Sequence, residues 1–179
     1  MRAKKFWVLG AAFALATSHV VIADSDTDEV ELDHDMAVCA KDAAGPALLL
    51  TIEDLKDEEG NIRAQIYGSN PEDFLEKGKK LVRIDVPTEG EGQQICVPLP
   101  SVGRYSLVVL HDRNANGKAD FFSEGFGFSN NPKLSLAPPA AEEVMFDAKP
   151  GITGMTISLT YIFGGDEEQT KKRRQLRRR

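Results

Sequence analysis

Leu99-Pro100-Ser101-Val102-Gly103-Arg104-Tyr105-Ser106-Leu107-Val108-Val109-Leu110-His111 decides the fold. A proline closes one extended run, Gly103 permits a tight turn, and Tyr105 opens the next run. The unbroken apolar Leu107 to Leu110 marks Tyr105 to His111 as a central strand covered on both faces. Working outward, six more short runs carry the same signature. Ala47–Glu53 is the first. Ile62, Ala64 and Ile66 alternate with Arg63, Gln65 and Tyr67. Val82, Ile84 and Val86 alternate with Arg83 and Asp85, and Ile95, Val97 and Leu99 with Cys96 and Pro98. Val144 and Phe146 mark a sixth run, and Met155, Ile157, Leu159 and Tyr161 a last one. Asp57-Glu58-Glu59-Gly60-Asn61 is a turn, and Asn70-Pro71 starts one helical turn carrying Phe74 and Leu75. The expected fold is all-β: an antiparallel β-sandwich of about seven strands with long loops, over residues 47–163.

The ends of the chain set the compartment. Met1-Arg2-Ala3-Lys4-Lys5, the apolar run Phe6 to Ala16, and Val21-Ile22-Ala23 form the pattern of a signal peptide over residues 1–23, cleaved after Ala23. The run is too short for a comfortable membrane span of about 20 residues. A periplasmic or secreted location follows. Residues 24–46 are an acidic, aperiodic lead-in, and 164–179 are a linker and a basic, disordered tail. Lys171 to Arg179 holds seven positive charges. Such a block is either simply solvated or binds anionic lipid in the envelope, at about 1 kcal/mol per basic residue. With three cations in the signal peptide and seven in the tail set aside, 12 basic residues face 28 acidic ones, a net −16. Such a body attracts cations and repels nucleic acid, which is not expected as a partner. In an oxidising compartment Cys39 and Cys96 read as a disulfide. It closes a loop of about 58 residues, worth roughly 4 kcal/mol.

After the central strand comes His111-Asp112-Arg113-Asn114-Ala115-Asn116-Gly117-Lys118-Ala119-Asp120. Oxygen side chains at Asp112, Asn114, Asn116 and Asp120, with the Lys118 carbonyl, are spaced to wrap a hard cation around a Gly turn. These five donors make calcium the candidate cofactor. The loop departs from the EF-hand: its twelfth position is Ser123, Glu124 comes one place later, and a strand rather than a helix precedes it. With charge −2, or −3 with Glu124, the expected affinity is on the order of 10⁻⁴–10⁻³ M. The alternative is an Asn/Gly turn whose side chains bond their own backbone.

Gly125-Phe126-Gly127-Phe128 contains a GxG, but no helical pattern follows to support phosphate binding. Phe121, Phe122, Phe126 and Phe128 either cover one end of the sandwich or form an apolar patch for a partner.

The LPxxGxYxLxV pattern at Leu99 to Val109 resembles the turn before a core strand in transthyretin-like and carboxypeptidase-regulatory-like sandwiches, within the immunoglobulin-like class of architecture. Tyr105 to Lys118, followed by Gly125-Phe-Gly-Phe-Ser-Asn-Asn131-Pro-Lys-Leu-Ser135, resembles small secreted bacterial proteins of domain-of-unknown-function family 2141. Tyr67 to Lys80 and Cys96-Val-Pro-Leu-Pro100 look like its alphaproteobacterial branch. The resemblance runs from about Ala47 to Tyr161. It implies export and a sandwich-like fold, and supplies no activity. Family members often carry Gly where this chain has Ala115, whose methyl disfavours a positive φ.

No GxSxG, HExxH or Walker loop is present, and only His34 and His111 follow the signal peptide. Adjacent residues of a strand point to opposite faces, so His111 and Asp112 make a poor acid–base pair. The chain is expected not to be an enzyme; a hydrolase using the loop carboxylates is the lesser alternative. The expectation is an exported binding or structural module with a weak calcium site. The alternative is an envelope-surface protein held by its basic tail.

Overall fold

The structure, a computed structural model, describes residues 31–42 and 45–163. The segments read as signal peptide and basic tail lie outside the described residues. Eight strands are present: β1 (Ala47–Glu53), β2 (Asn61–Tyr67), β3 (Lys80–Pro87), β4 (Gln94–Pro98), β5 (Gly103–Asp112), β6 (Gly125–Phe128), β7 (Met145–Ala148) and β8 (Ile152–Ser158). One sheet has the order β4-β1-β8 and the other β3-β2-β5-β6, with β7 also on β5.

β5 organises both layers. From Tyr105 to Asp112 every residue is buried. Alternation sends Tyr105, Leu107 and Val109 into the space between the sheets, where they meet Leu48, Leu50, Ile62, Ile66 and Ile157. Val108 and Leu110 point the other way, into an outer cluster with Tyr67, Phe126, Phe128 and Val144. Phe74, delivered by the 3₁₀ turn Pro71–Asp73 that Asn70 caps through the Glu72 N–H, packs against this outer cluster.

The all-β sandwich stands, with eight strands among the described residues where about seven were expected; β6 was not picked out from the sequence as a strand. Its two glycines hid a period of two: Phe126 and Phe128 face the outer cluster, and the bare side of Gly125 and Gly127 faces Ile157 of β8 and Leu159 and Tyr161 just beyond it. A Cβ on Gly125 would lie 2.6 Å from the Tyr161 ring, and one on Gly127 would strike the Ile157 side chain. The GxG is thus a packing device. One expectation needs correction: the fold is not wholly antiparallel, since β1 and β8, remote in sequence, pair in parallel along all seven residues. β8 also starts and ends earlier than its apolar alternation implied, with a bridge from Phe126 to Thr160 carrying the pairing on.

Ser129-Asn130-Asn131 pins the junction where β6 and β7 share one edge of β5. The Ser129 hydroxyl accepts the Leu107 N–H (3.0 Å) and donates to the Val144 carbonyl. Asn130 Nδ2 donates to the Glu143 and Met145 carbonyls. Asn131 Nδ2 donates to Thr156 O (2.8 Å), and its Oδ1 accepts the Ser158 N–H (3.0 Å). Both asparagines adopt positive φ, which Asn tolerates better than most residues.

Part of the lead-in is ordered by the Cys39–Cys96 disulfide, whose Cα atoms stand 5.7 Å apart. It ties the 3₁₀ turn Met36–Cys39 to β4, and His34 Nε2 accepts the Cys96 N–H beside it (3.1 Å).

Replacing Gly127 with Ala inserts a methyl where Ile157 already sits. Urea unfolding should show a loss of about 1–3 kcal/mol with the slope unchanged.

Candidate functional site

One end of the five-stranded sheet carries its charge. On the outer face Arg63 (β2) stands between Asp85 (β3) and Asp112 (β5): it is in register with Asp85 and diagonal to Asp112, whose own register partner is Asn61. Arg63 Nε lies 2.7 Å from Asp85 Oδ1, and its Nη2 lies 3.5 Å from Asp112 Oδ2. Its Nη1 donates to the Gly117 carbonyl (2.9 Å), bracing the following loop from beneath. Arg63 is 5 % exposed and Asp112 1 %, so this is a buried ion pair that also holds backbone.

The loop itself is built on its own oxygens. Asp112 Oδ1 and Asn114 Oδ1 both accept the Asn116 N–H (3.1 and 3.0 Å), and Asp112 Oδ2 accepts that of Gly117 (2.8 Å). Asn116 Oδ1 accepts the Lys118 N–H (2.7 Å). Asp120 caps the next turn, accepting the Phe122 N–H at Oδ1 (2.9 Å) and the Ser123 hydroxyl at Oδ2 (3.0 Å). Of the sequence-read donors, Asp112, Asn114 and Asn116 thus gather on the turn about Gly117, Lys118 joins it through its N–H, and Asp120 belongs to the turn that follows. Each oxygen used this way retains lone-pair capacity. Among the described residues, no three His, Cys, Asp or Glu side chains already converge as metal ligands. Ala115 adopts φ 52°, the conformation its methyl disfavours.

Sequence reasoning left Glu124 out of the donor set and did not pick out Arg63. Glu124 is 0 % exposed. Its Oε2 accepts the Asp120 N–H (2.7 Å), whereas its Oε1 is buried with no hydrogen-bond partner. Burial pushes its carboxyl up, and the charges of Asp112 and Asp120 add to this against the Asp120 N–H and Arg63. The only sequence signal for Glu124 was a carboxylate one place past the EF-hand's last ligand position.

Behind the loop, His111 points to the inner face and is fully buried. Its Nε2 lies 2.7 Å from the Glu59 carbonyl, so this nitrogen donates; Nδ1 then accepts from the Tyr161 hydroxyl at 2.6 Å. Burial holds the imidazole below its ordinary pKa, outweighing the Glu59 carbonyl and the Asp57 charge. Burial likewise pushes Tyr161 up to about 12. Arg113 leaves the loop on the other side and clamps Asp57 (Nε to Oδ2 2.8 Å), with a further contact to Ser123 O (3.3 Å). Burial would raise the Asp57 carboxyl, but Arg113 and the Glu59 N–H together hold it below the usual range.

Phe126 and Phe128 are covered, and Phe121 stacks on Phe126 at 4.6 Å. Phe122 is 72 % exposed and stacks on Phe163 at 4.9 Å.

A family model described as an uncharacterized protein conserved in bacteria, domain-of-unknown-function family 2141, matches residues 50–156. The chain belongs to this family. The matched span holds the charged row, the loop, Glu124 and the Ser129-Asn130-Asn131 junction, but neither Cys39 nor Tyr161. No match was found among curated proteins or among solved structures.

The folded protein resists protonating His111, whereas the unfolded chain takes up that proton near the ordinary value of 6.5. More protons bind the unfolded state, so stability falls as pH drops below about 6.5 and is fully present above it. Urea unfolding in chelator from pH 7.5 to 5.5 should show this decline, and His111→Gln should flatten it.

Proposed function

We propose that the chain is an exported β-sandwich binding or structural module whose loop from Asp112 to Asp120 holds a calcium ion. The observation that carries this reading is the loop's construction. Asp112, Asn114 and Asn116 line the turn about Gly117, fixed by backbone N–H groups, and Asp120 follows at the start of the next turn, on a body of net charge −16. Pre-fixed donors lose little freedom on taking up an ion. The disulfide fits an oxidising compartment, where calcium can reach the range a weakly charged loop needs. The same reading treats the chain as a non-enzyme. It is supported by His111, which has both ring nitrogens engaged inside the fold and is on the opposite face from Asp112. Melting in millimolar calcium should exceed melting in chelator by a few degrees, the linkage expected at about ten times Kd. Identical midpoints would overturn the calcium site.

A second reading, attachment to an anionic envelope surface, gains support from the exposed Phe122–Phe163 stack. Phe163 stands eight residues before the basic block that begins at Lys171, so aromatic and basic groups are neighbours in the chain. Vesicles rich in anionic lipid should co-sediment the full chain more than one ending at Thr170; equal binding would exclude it.

A further inference from the structure

We propose that Glu124 is a ligand of the calcium loop, entering from the position just before β6 as a third anionic donor beside Asp112 and Asp120. The inference rests on the calcium reading above and adds a residue outside its donor set.

The register carries the argument. The last paired rung between β5 and β6 is His111 opposite Gly125. One step further, the same register sets Asp112 opposite Glu124. Directly opposite side chains share a face with Cβ atoms about 4.5–5.5 Å apart, and like charges there repel. Neither group can turn to solvent, because Asp112 is 1 % exposed and Glu124 0 %. Followed by contact, the charges run Asp85, Arg63, Asp112, Glu124: Arg63 faces Asp85 in register and reaches Asp112 on the diagonal, and the last two are both carboxylates. Arg63 is already committed, by Nε to Asp85, by Nη2 to Asp112 and by Nη1 to the Gly117 carbonyl.

The second observation is independent of charge counting. Glu124 Oε1 is buried with no hydrogen-bond donor, an arrangement that costs free energy unless something positive satisfies it. Its partner Oε2 accepts the Asp120 N–H, which fixes the carboxyl head at the Asp120 end of the loop. The head is also held from behind. Glu124 directly precedes Gly125, which is wedged under the Tyr161 ring with no room for a side chain. Position is therefore set by the sandwich and not by the turn.

With Glu124 the donor set grows from five oxygens to six or seven and its charge from −2 to −3, inside the range that calcium takes. Amide and carbonyl oxygens in a set of that size suit calcium better than magnesium, which keeps its waters.

The test is calorimetric titration of the full chain with calcium, with magnesium as the control. Wild type should bind calcium with Kd on the order of 10⁻⁴–10⁻³ M. Glu124→Gln keeps the shape and removes the charge, and should weaken binding by about tenfold or more, since affinity follows ligand charge. In chelator the same variant should melt higher than wild type, because a buried unpaired charge has gone. Wild-type affinity in Glu124→Gln would remove Glu124 from the site while leaving the loop reading intact. An absence of calcium binding by wild type at 10 mM, a concentration about tenfold or more above that Kd, would overturn both. If Glu124→Gln lost its near-ultraviolet circular dichroism, Glu124→Asp, which keeps the charge but draws the carboxylate back, would decide: unchanged affinity would overturn the proposal.

Discussion

A strand covered on both faces has to dispose of its polar groups at its ends, and β5 sets that constraint for the whole molecule. Its inner residues hold the two sheets together and its outer residues seat β6, Phe74 and Val144. Where the apolar run stops, His111 and Asp112 are still inside. Each is therefore met by groups brought in from elsewhere: Tyr161 and the Glu59 carbonyl for the first, Arg63 and two backbone N–H groups for the second. The turn between β1 and β2, the loop after β5 and the chain beyond β8 all converge on that end because of these demands.

The architecture was legible wherever side chains reported it directly. The apolar run of β5 declared its double burial, Asn70-Pro71 declared a capped turn, and the cysteine pair declared its bridge. Burial patterns that depend on missing side chains were not legible. Gly125 and Gly127 belong to a strand because β8 and Tyr161 press on them, and nothing local records that pressure. The parallel union of β1 with β8 was equally hidden, since strands at opposite ends of the domain need no connecting turn to betray their pairing.

At the candidate site the turn could be read from Asp112, Asn114, Asn116, Gly117 and Asp120, because spacing along a loop is a local property. Arg63 and Glu124 could not, because they reach the loop through strand register. Arg63 looked like the polar half of an ordinary alternating strand, and its guanidinium proves to be the counter-charge of a buried row. The positive φ of Ala115 shows the loop holding its shape against the local preference of one of its residues. Such strain persists only where surrounding contacts over-determine the backbone, and here the Ala115 N–H is held by the Asp112 carbonyl and the Asn116 N–H by the Asp112 and Asn114 side chains.

Asn131 has a consequence for how the molecule behaves in company. Among the described residues the outer edge of β8 faces no further strand of its own sheet, and an open edge can recruit a strand from another copy. By offering an amide N–H to Thr156 and a carbonyl oxygen to Ser158, Asn131 imitates the backbone of the missing neighbour with a side chain alone. A single asparagine thereby occupies the outward groups of Thr156 and Ser158, next to the Phe126–Thr160 bridge, where an added strand would otherwise pair.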